Sequence, residues 1–247
     1  MRHKWEDEDG ELFSVLAARH VLLTPRDDVL SLTHILHYEQ PAMSSAETTP
    51  ESSILAETNL NDDPKRVLMV LDVQHNMLRD PPAGIPAGAT VGPNIATILA
   101  RARAAVPPPR IVHVRNAGDA GEPDETGTPG WELVNAPLPG EFVVDKRKNN
   151  AFVGTELGQI IPPTAEIIMV GMQSDFCIRA TCSAALSRGN EVLLVRGAHA
   201  TYDRVEYHNH GLITSALEVE KEIEGELEEA GVIMLEMKDL PGMFTDR

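Results

Sequence analysis

Cysteine is nearly absent from this 247-residue chain, which carries only Cys177 and Cys182. Two cysteines cannot build a disulfide framework. Five apart on a helix they point to different sides, so no bridge between them is expected. The pattern suits a reducing compartment, and a cytoplasmic location is the expectation. Long apolar runs are missing too, with none near the roughly 18 residues that a membrane span needs. The opening "MRHKWEDEDGELF" has no apolar stretch behind its positive charges and no small-residue cleavage site, so it does not read as a secretory signal. Positive charge is scarce: 21 Lys and Arg against 38 Asp and Glu leave a net charge of −17. A nucleic-acid partner would want a basic face, so none is expected.

What is present changes character near Pro64. Residues 40–64, "QPAMSSAETTPESSILAETNLNDDP", are rich in Ser, Thr, Glu, Asp and Pro and read as a flexible acidic linker. Residues 1–39 hold apolar patches ("LFSVLAARHVLL", "VLSLTHILHY") suited to short helices but too few for a core. The expectation is an N-terminal extension over 1–64 and one domain over 65–247, with Met43 a candidate alternative start.

From Lys65 short apolar, β-branched runs alternate with helical stretches: "RVLMVLDV" (66–73), "GPNIATILARARAA" (92–105), "RIVHVRN" (110–116), "EFVVDK" (141–146), "EIIMVGM" (166–172), "CIRATCSAALSRG" (177–189), "EVLLVR" (191–196) and "VIMLEM" (232–237). Near-continuous apolar strands suggest a parallel sheet covered on both faces, and the alternation gives an α/β domain of about six strands. A long helix is expected over 212–230, with Leu212, Ile213, Ala216, Leu217, Ile223, Leu227 and Ala230 on its apolar side and a solvated acidic face opposite.

Open parallel sheets place their sites beyond the carboxyl ends of the strands. Here those ends carry Asp72, then His113, Arg115 and Asn116, then Lys146 and Lys148, then Cys177, then "GAHATYD" with His199. Cys177 opens a helix, and a helix N-terminus or a neighbouring cation lowers a thiol pKa. Read alone, Cys177 is a nucleophile or inert filling, Asp72 a site residue or a loop cap, and Lys146 a site residue or a surface lysine. Cys182 lies deeper in "ATCSAAL" and reads as core packing.

Together these residues resemble the isochorismatase-like cysteine hydrolase superfamily. The likeness rests on an Asp in a D-x-Q setting ("LDVQHNM"), a Lys six residues before a Phe ("KRKNNAFVGTEL") and a Cys in a G-x-x-T-x-x-C-V-like segment ("GMQSDFCI"), and it covers about 66–237. It implies a three-layer α/β/α Rossmann-like fold with a six-stranded parallel sheet of order 3-2-1-4-5-6. It also implies a triad of Asp72, Lys146 and Cys177, and a non-proline cis peptide at Met172–Gln173. The amides of Gln173 and Cys177 would then form an oxyanion hole. Arg115, Trp131 and Phe152 are candidate substrate contacts, Arg115 for a carboxylate and the aromatics as an apolar wall. Homo-oligomers are common among such proteins, and nothing here locates an interface.

The sequence departs from the family pattern in places. "NNAF" stands where "YSAF" is common, and Gln173-Ser174 replaces a small residue followed by Thr. The region "HVRNAGDAGEPDETGTPGWEL" lacks the Asp-x-His motif of the nicotinamidase branch, and "HNH" at 208–210 does not replace it, since residues two apart on a helix diverge. No metal or other cofactor is therefore expected. No G-x-G-x-x-G follows "VLMVLDV", which argues against a dinucleotide-binding oxidoreductase. The expected function is hydrolysis of an amide-type C–N bond in a small molecule through a thioester. The alternatives are vinyl-ether cleavage of isochorismate, or a non-catalytic binding protein on the same fold.

Overall fold

The computed structural model describes residues 3–6, 12–15, 63–206, 208 and 211–245. The chain divides into two compact units, Met1–Glu51 and Ser52–Arg247. In the first, β1 (His3–Glu6) and β2 (Leu12–Val15) pair antiparallel with His3 opposite Val15. Leu12–Val15 opens the patch "LFSVLAARHVLL", so its first four residues form a strand where a short helix was expected. Residues 40–62 of the expected 40–64 linker, the patch "VLSLTHILHY" and Met43 lie outside the described residues.

The second unit is built on six strands: β3 (Arg66–Leu71), β4 (Arg110–Asn116), β5 (Phe142–Lys146), β6 (Glu166–Met172), β7 (Glu191–Ala200) and, after two further short strands, β10 (Ile233–Leu235). All neighbours pair parallel, in the order β5-β4-β3-β6-β7-β10. Counted along the chain, these six strands run 3-2-1-4-5-6, the order that the family resemblance implies. The order reverses between β3 and β6, the place where an open sheet exposes a crevice.

Side chains alternate across the sheet and each face is apolar. On one face Val67, Met69, Leu71, Val112, Val114, Ile167, Met169 and Leu194 pack against the short α2 (Leu157–Ile160), α3 (Arg179–Arg188) and α4 (Ala216–Ala230). On the other, Leu68, Val70, Ile111, Ile168, Val170, Leu193 and Val195 pack against Val91, Ile95, Ile98 and Leu99 of α1 (Gly88–Arg103). The result is the three-layer α/β/α arrangement. Each fully buried Val, Leu or Ile is worth about 1.5–3 kcal/mol over exposure. Because both faces are filled, apolarity alone does not set register.

One helix differs from its expected span. Residues Leu212–Thr214 form β9, paired antiparallel with β8 (Arg204–Glu206), and α4 starts only at Ala216. Ser215 accepts from the amide of Glu218 while the Glu218 carboxylate accepts from the amide of Ser215, a capping box that sets the helix start. The apolar 3.6-residue spacing continues upstream of this cap into β9, where the backbone is extended. Leu212 and Ile213 are 59% and 65% exposed, and Leu217 and Ala230 are exposed as well. The buried stripe of α4 is Ala216, Val219, Ile223 and Leu227.

Gly171 fixes how β3 and β6 meet beside the crevice. Its φ is +131°, and a Cβ there would lie 1.9 Å from the carbonyl oxygen of Leu71. Only glycine lets the two strand ends approach this closely. The next bond but one, Met172–Gln173, is a non-proline cis peptide.

Candidate active site

Three strand ends and one helix start converge at the crevice. Asp72 follows β3 directly, with φ +53° and its amide donating to the carbonyl of Val114 at 2.8 Å. A left-handed conformation at a non-glycine residue costs of order 1 kcal/mol, and such positions cluster at functional sites. Lys146 ends β5. Its alternation with buried Val144 points it inward, where a lysine survives only with partners. Cys177 lies in a widened turn, Ser174–Ile178, that leads into α3. Such wide turns recur at functional sites.

Lys146 Nζ ties these groups together. It lies 2.9 Å from Asp72 Oδ2, 3.2 Å from Cys177 Sγ and 3.1 Å from Asn116 Oδ1. An ammonium has three N–H donors, so all are engaged by the protein. Asp72 Oδ1, in contrast, is buried and makes no hydrogen bond among the described residues. Asp72 and Lys146 are thus buried together against Cys177, the one member of the three that is partly exposed.

The electrostatics do not favour a ready-made thiolate. Burial raises the Asp72 carboxyl above its ordinary value although Lys146 pulls the other way. Burial would lower Lys146, but the adjoining Asp72 and Cys177 outweigh it and hold the ammonium charged. Burial, followed by Asp72, pushes the Cys177 thiol up to about 12 against the pull of Lys146. The lowering expected from a helix start and a nearby cation is therefore overridden by desolvation and by a second anion. Cys182 is fully buried in the core, and burial alone takes it to about 12.

A polar scaffold holds the pieces in place. Gln74, the Gln of "LDVQ", accepts from the amide of Asn116 at 2.9 Å and donates to the carbonyls of Asn116 and Trp131 at 3.0 and 2.9 Å. Thr181 on α3 receives the amide of Ala151 and donates to the carbonyl of Asn149. This ties the "NNAF" segment to the helix of Cys177, and Asn149 Oδ1 lies 3.7 Å from Cys177 Sγ. Below the turn, fully buried Ser174 places Oγ 2.9 Å from His199 Nδ1, and His199 Nε2 lies 3.3 Å from Glu224. His199 thus hydrogen-bonds the loop before Cys177.

The expected substrate contacts fall in two places. Arg115 pairs with Asp145 through Nε and an Nη at 2.6 and 3.2 Å, and its guanidinium carbon lies 3.4 Å from the centroid of the Trp131 ring. Strand alternation sends Arg115 and Asp145 to the face opposite Asn116 and Lys146. Phe152 packs on the same apolar cluster as Cys177, with the Arg188 guanidinium carbon 4.5 Å from its ring centroid. Asn116 stands among the polar residues at the strand ends, and Gln74 is the Gln of the D-x-Q setting. Asp124 is a buried loop residue with no pattern to mark it.

This geometry has known counterparts. The pattern of the isochorismatase domain matches residues 66–220. The chain belongs to the isochorismatase family. It is 36% identical over 165 residues to a streptothricin hydrolase of Streptomyces noursei, a match covering 65% of this chain and 62% of that protein. A second streptothricin hydrolase of the same organism is 38% identical over 142 residues, covering 56% of this chain and 50% of its own length. The match thus spans half to just under two thirds of these curated relatives. An isochorismatase from Pseudomonas putida KT2440 shares the fold, with a TM-score of 0.65 at 23% identity over 78% of this chain and 93% of that one. In this isochorismatase-family chain Asp72 and Cys177 follow β3 and β6, the strands where the order reverses, and Lys146 reaches both from the end of β5. Among its described residues no three His, Cys, Asp or Glu side chains gather to hold a metal ion. None of its described helices is long and apolar enough to cross a membrane.

Proposed function

We propose that this chain hydrolyses an amide-type C–N bond of a small molecule through a thioester on Cys177. The observation that carries the reading is buried Lys146 Nζ held at once against buried Asp72 and the partly exposed Cys177 Sγ. Asp72 takes the thiol proton as sulfur attacks the carbonyl carbon, and the fixed ammonium stabilises both anions as charge moves between them. The carbonyl electrons pass to oxygen, which the amides of Gln173 and Cys177 receive; each such donor is typically worth about 10²–10³ in rate. Asp72 returns the proton to the leaving nitrogen and the C–N bond breaks. It then takes a proton from the water that attacks the thioester and passes it to the departing sulfur as the C–S bond breaks, releasing the acid and the thiol. A carboxyl raised by burial suits both directions of transfer.

Phe152 is the proposed apolar wall, and the Arg115–Trp131 stack a proposed rim. Two unpaired cysteines fit a cytoplasmic setting. Because two relatives are named for hydrolysis of streptothricin, that compound heads the substrate panel.

One observation favours a second reading. A raised carboxyl at Asp72 is also a proton donor, and protonation of a vinyl ether such as isochorismate needs no sulfur. The deciding experiment is acid quench and intact mass of wild type and Cys177→Ala with an amide panel, streptothricin and isochorismate. A substrate-derived adduct on wild type, absent from an inactive Cys177→Ala, is the expected result. Undiminished turnover by Cys177→Ala overturns the thioester and favours the vinyl ether.

A further inference from the structure

We propose that Asn116 and Asp124 are positioning residues that hold the Lys146 ammonium against Cys177, with Asp124 acting through Asn116. The inference rests on the reading of Lys146 and Cys177 as reacting machinery. Asn116 bridges the two charges: its Oδ1 accepts from Lys146 Nζ at 3.1 Å and its Nδ2 donates to Asp124 Oδ2 at 2.6 Å. An ammonium on one side and a carboxylate on the other leave the amide a single orientation that satisfies both. Without Asp124 the amide loses the partner that anchors Nδ2, and Oδ1 is no longer held in one place against the ammonium.

The surroundings are built to hold this bridge. Gln74 clasps both backbone groups of Asn116, so the side chain leaves a fixed point. Asp124 is 7% exposed. Its carbonyl accepts the amide of Gly118 at 3.0 Å, and a Cβ on Gly118 would lie 2.3 Å from Asp124 Oδ1. Glycine there leaves the room that the carboxylate occupies. A carboxylate this buried is costly unless hydrogen-bonded, and Asn116 supplies a partner. The relay thus provides the third acceptor of Lys146 and fixes the place from which the cation faces the sulfur.

The test is the rate of iodoacetamide labelling of Cys177 in the full chain at pH 9, read by peptide mass spectrometry with Cys182 as internal control. Asn116→Ala and Asp124→Ala are expected to slow Cys177 labelling about tenfold, the effect of one pKa unit of lost thiolate stabilisation. Asp124→Asn, whose amide oxygen still accepts from Asn116, is expected to stay within about threefold of wild type on the same scale. The direction separates positioning from bracing, because a loosened fold exposes both cysteines and speeds their labelling. Wild-type or faster labelling in Asn116→Ala overturns the proposal, and so does Asp124→Asn as slow as Asp124→Ala. If Asp124→Ala does not fold, the Asn116→Ala rate decides. The labelling uses no substrate, so turnover retained by Cys177→Ala, which defeats the amide-hydrolysis reading, is recorded separately.

Discussion

Lys146 Nζ and Asp72 Oδ2 lie 2.9 Å apart, and both side chains are almost wholly removed from solvent. A pair at this depth is held by mutual attraction against a large desolvation cost. Removing one partner leaves the other charge uncompensated.

Lys146→Met is therefore expected to lower unfolding free energy by about 3–5 kcal/mol, measured by urea denaturation at pH 7. The double variant Asp72→Asn, Lys146→Met removes both charges and is expected to lose clearly less. A double variant as unstable as the sum of the single ones would show that the two charges do not depend on each other.

The thiol chemistry gives a second expectation. With Cys177 pushed up to about 12 by burial and by Asp72, little thiolate exists near neutral pH in the free protein. Iodoacetamide labelling of Cys177 should climb about tenfold per pH unit from about pH 7 to 10 without a plateau. Cys182, equally raised and fully buried, should label more slowly at every pH. A plateau for Cys177 below about pH 8.5 would show a thiolate stored before substrate arrives.

Much of this was legible in the sequence, for physical reasons. The six central strands were visible because both faces of a parallel sheet are buried, which leaves unbroken apolar runs. Asp72, Lys146 and Cys177 stood out because each follows such a run. The pairing of β4 with β5, which sets Asn116 opposite Lys146, is a tertiary fact that no local pattern encodes. The direction of the Cys177 shift also depends on how deeply the sulfur is buried, which spacing cannot reveal. Leu212 and Ile213 imitated a helix face because a two-strand hairpin ending at a capping serine can carry helical spacing by chance.

A third expectation concerns acid stability. Burial would raise the Glu141 carboxyl, but hydrogen bonds from Arg103, the Leu138 amide and His113 bring it down from 4.5 to about 2. Burial also lowers His113 below its ordinary 6.5, outweighing Glu141. Both groups bind protons more readily when unfolded, so through both of them stability rises with pH and is lost on acidification. The His113 contribution is lost as pH drops from 6.5 downward, and that of Glu141 as pH drops from 4.5 towards 2. Wild type should exceed Glu141→Gln in thermal midpoint at pH 7, with the gap narrowing steadily below pH 4.5. A gap constant between pH 7 and pH 3 would remove the carboxylate from the account.

The last expectation isolates the close approach of β3 and β6. Two glycines with positive φ are compared, Gly171 at +131° and Gly189 at +96°. Around Gly189 no atom lies within 4 Å of an added Cβ, so Gly189→Ala bears only the cost of its backbone conformation, about 1–2 kcal/mol. At Gly171 the same Cβ meets the Leu71 carbonyl at 1.9 Å, one residue before Asp72 and two before Gln173. The strands must part to admit it, which adds a packing cost and moves the carboxylate relative to the sulfur. Gly171→Ala should therefore lose about 2–4 kcal/mol, while Gly189→Ala stays nearer the backbone cost, both by urea denaturation. Its Cys177 labelling rate should also depart from wild type, while that of Gly189→Ala does not. Equal stability losses and unchanged labelling in both variants would mean that the contact with Leu71 has no part in placing Asp72 beside Cys177.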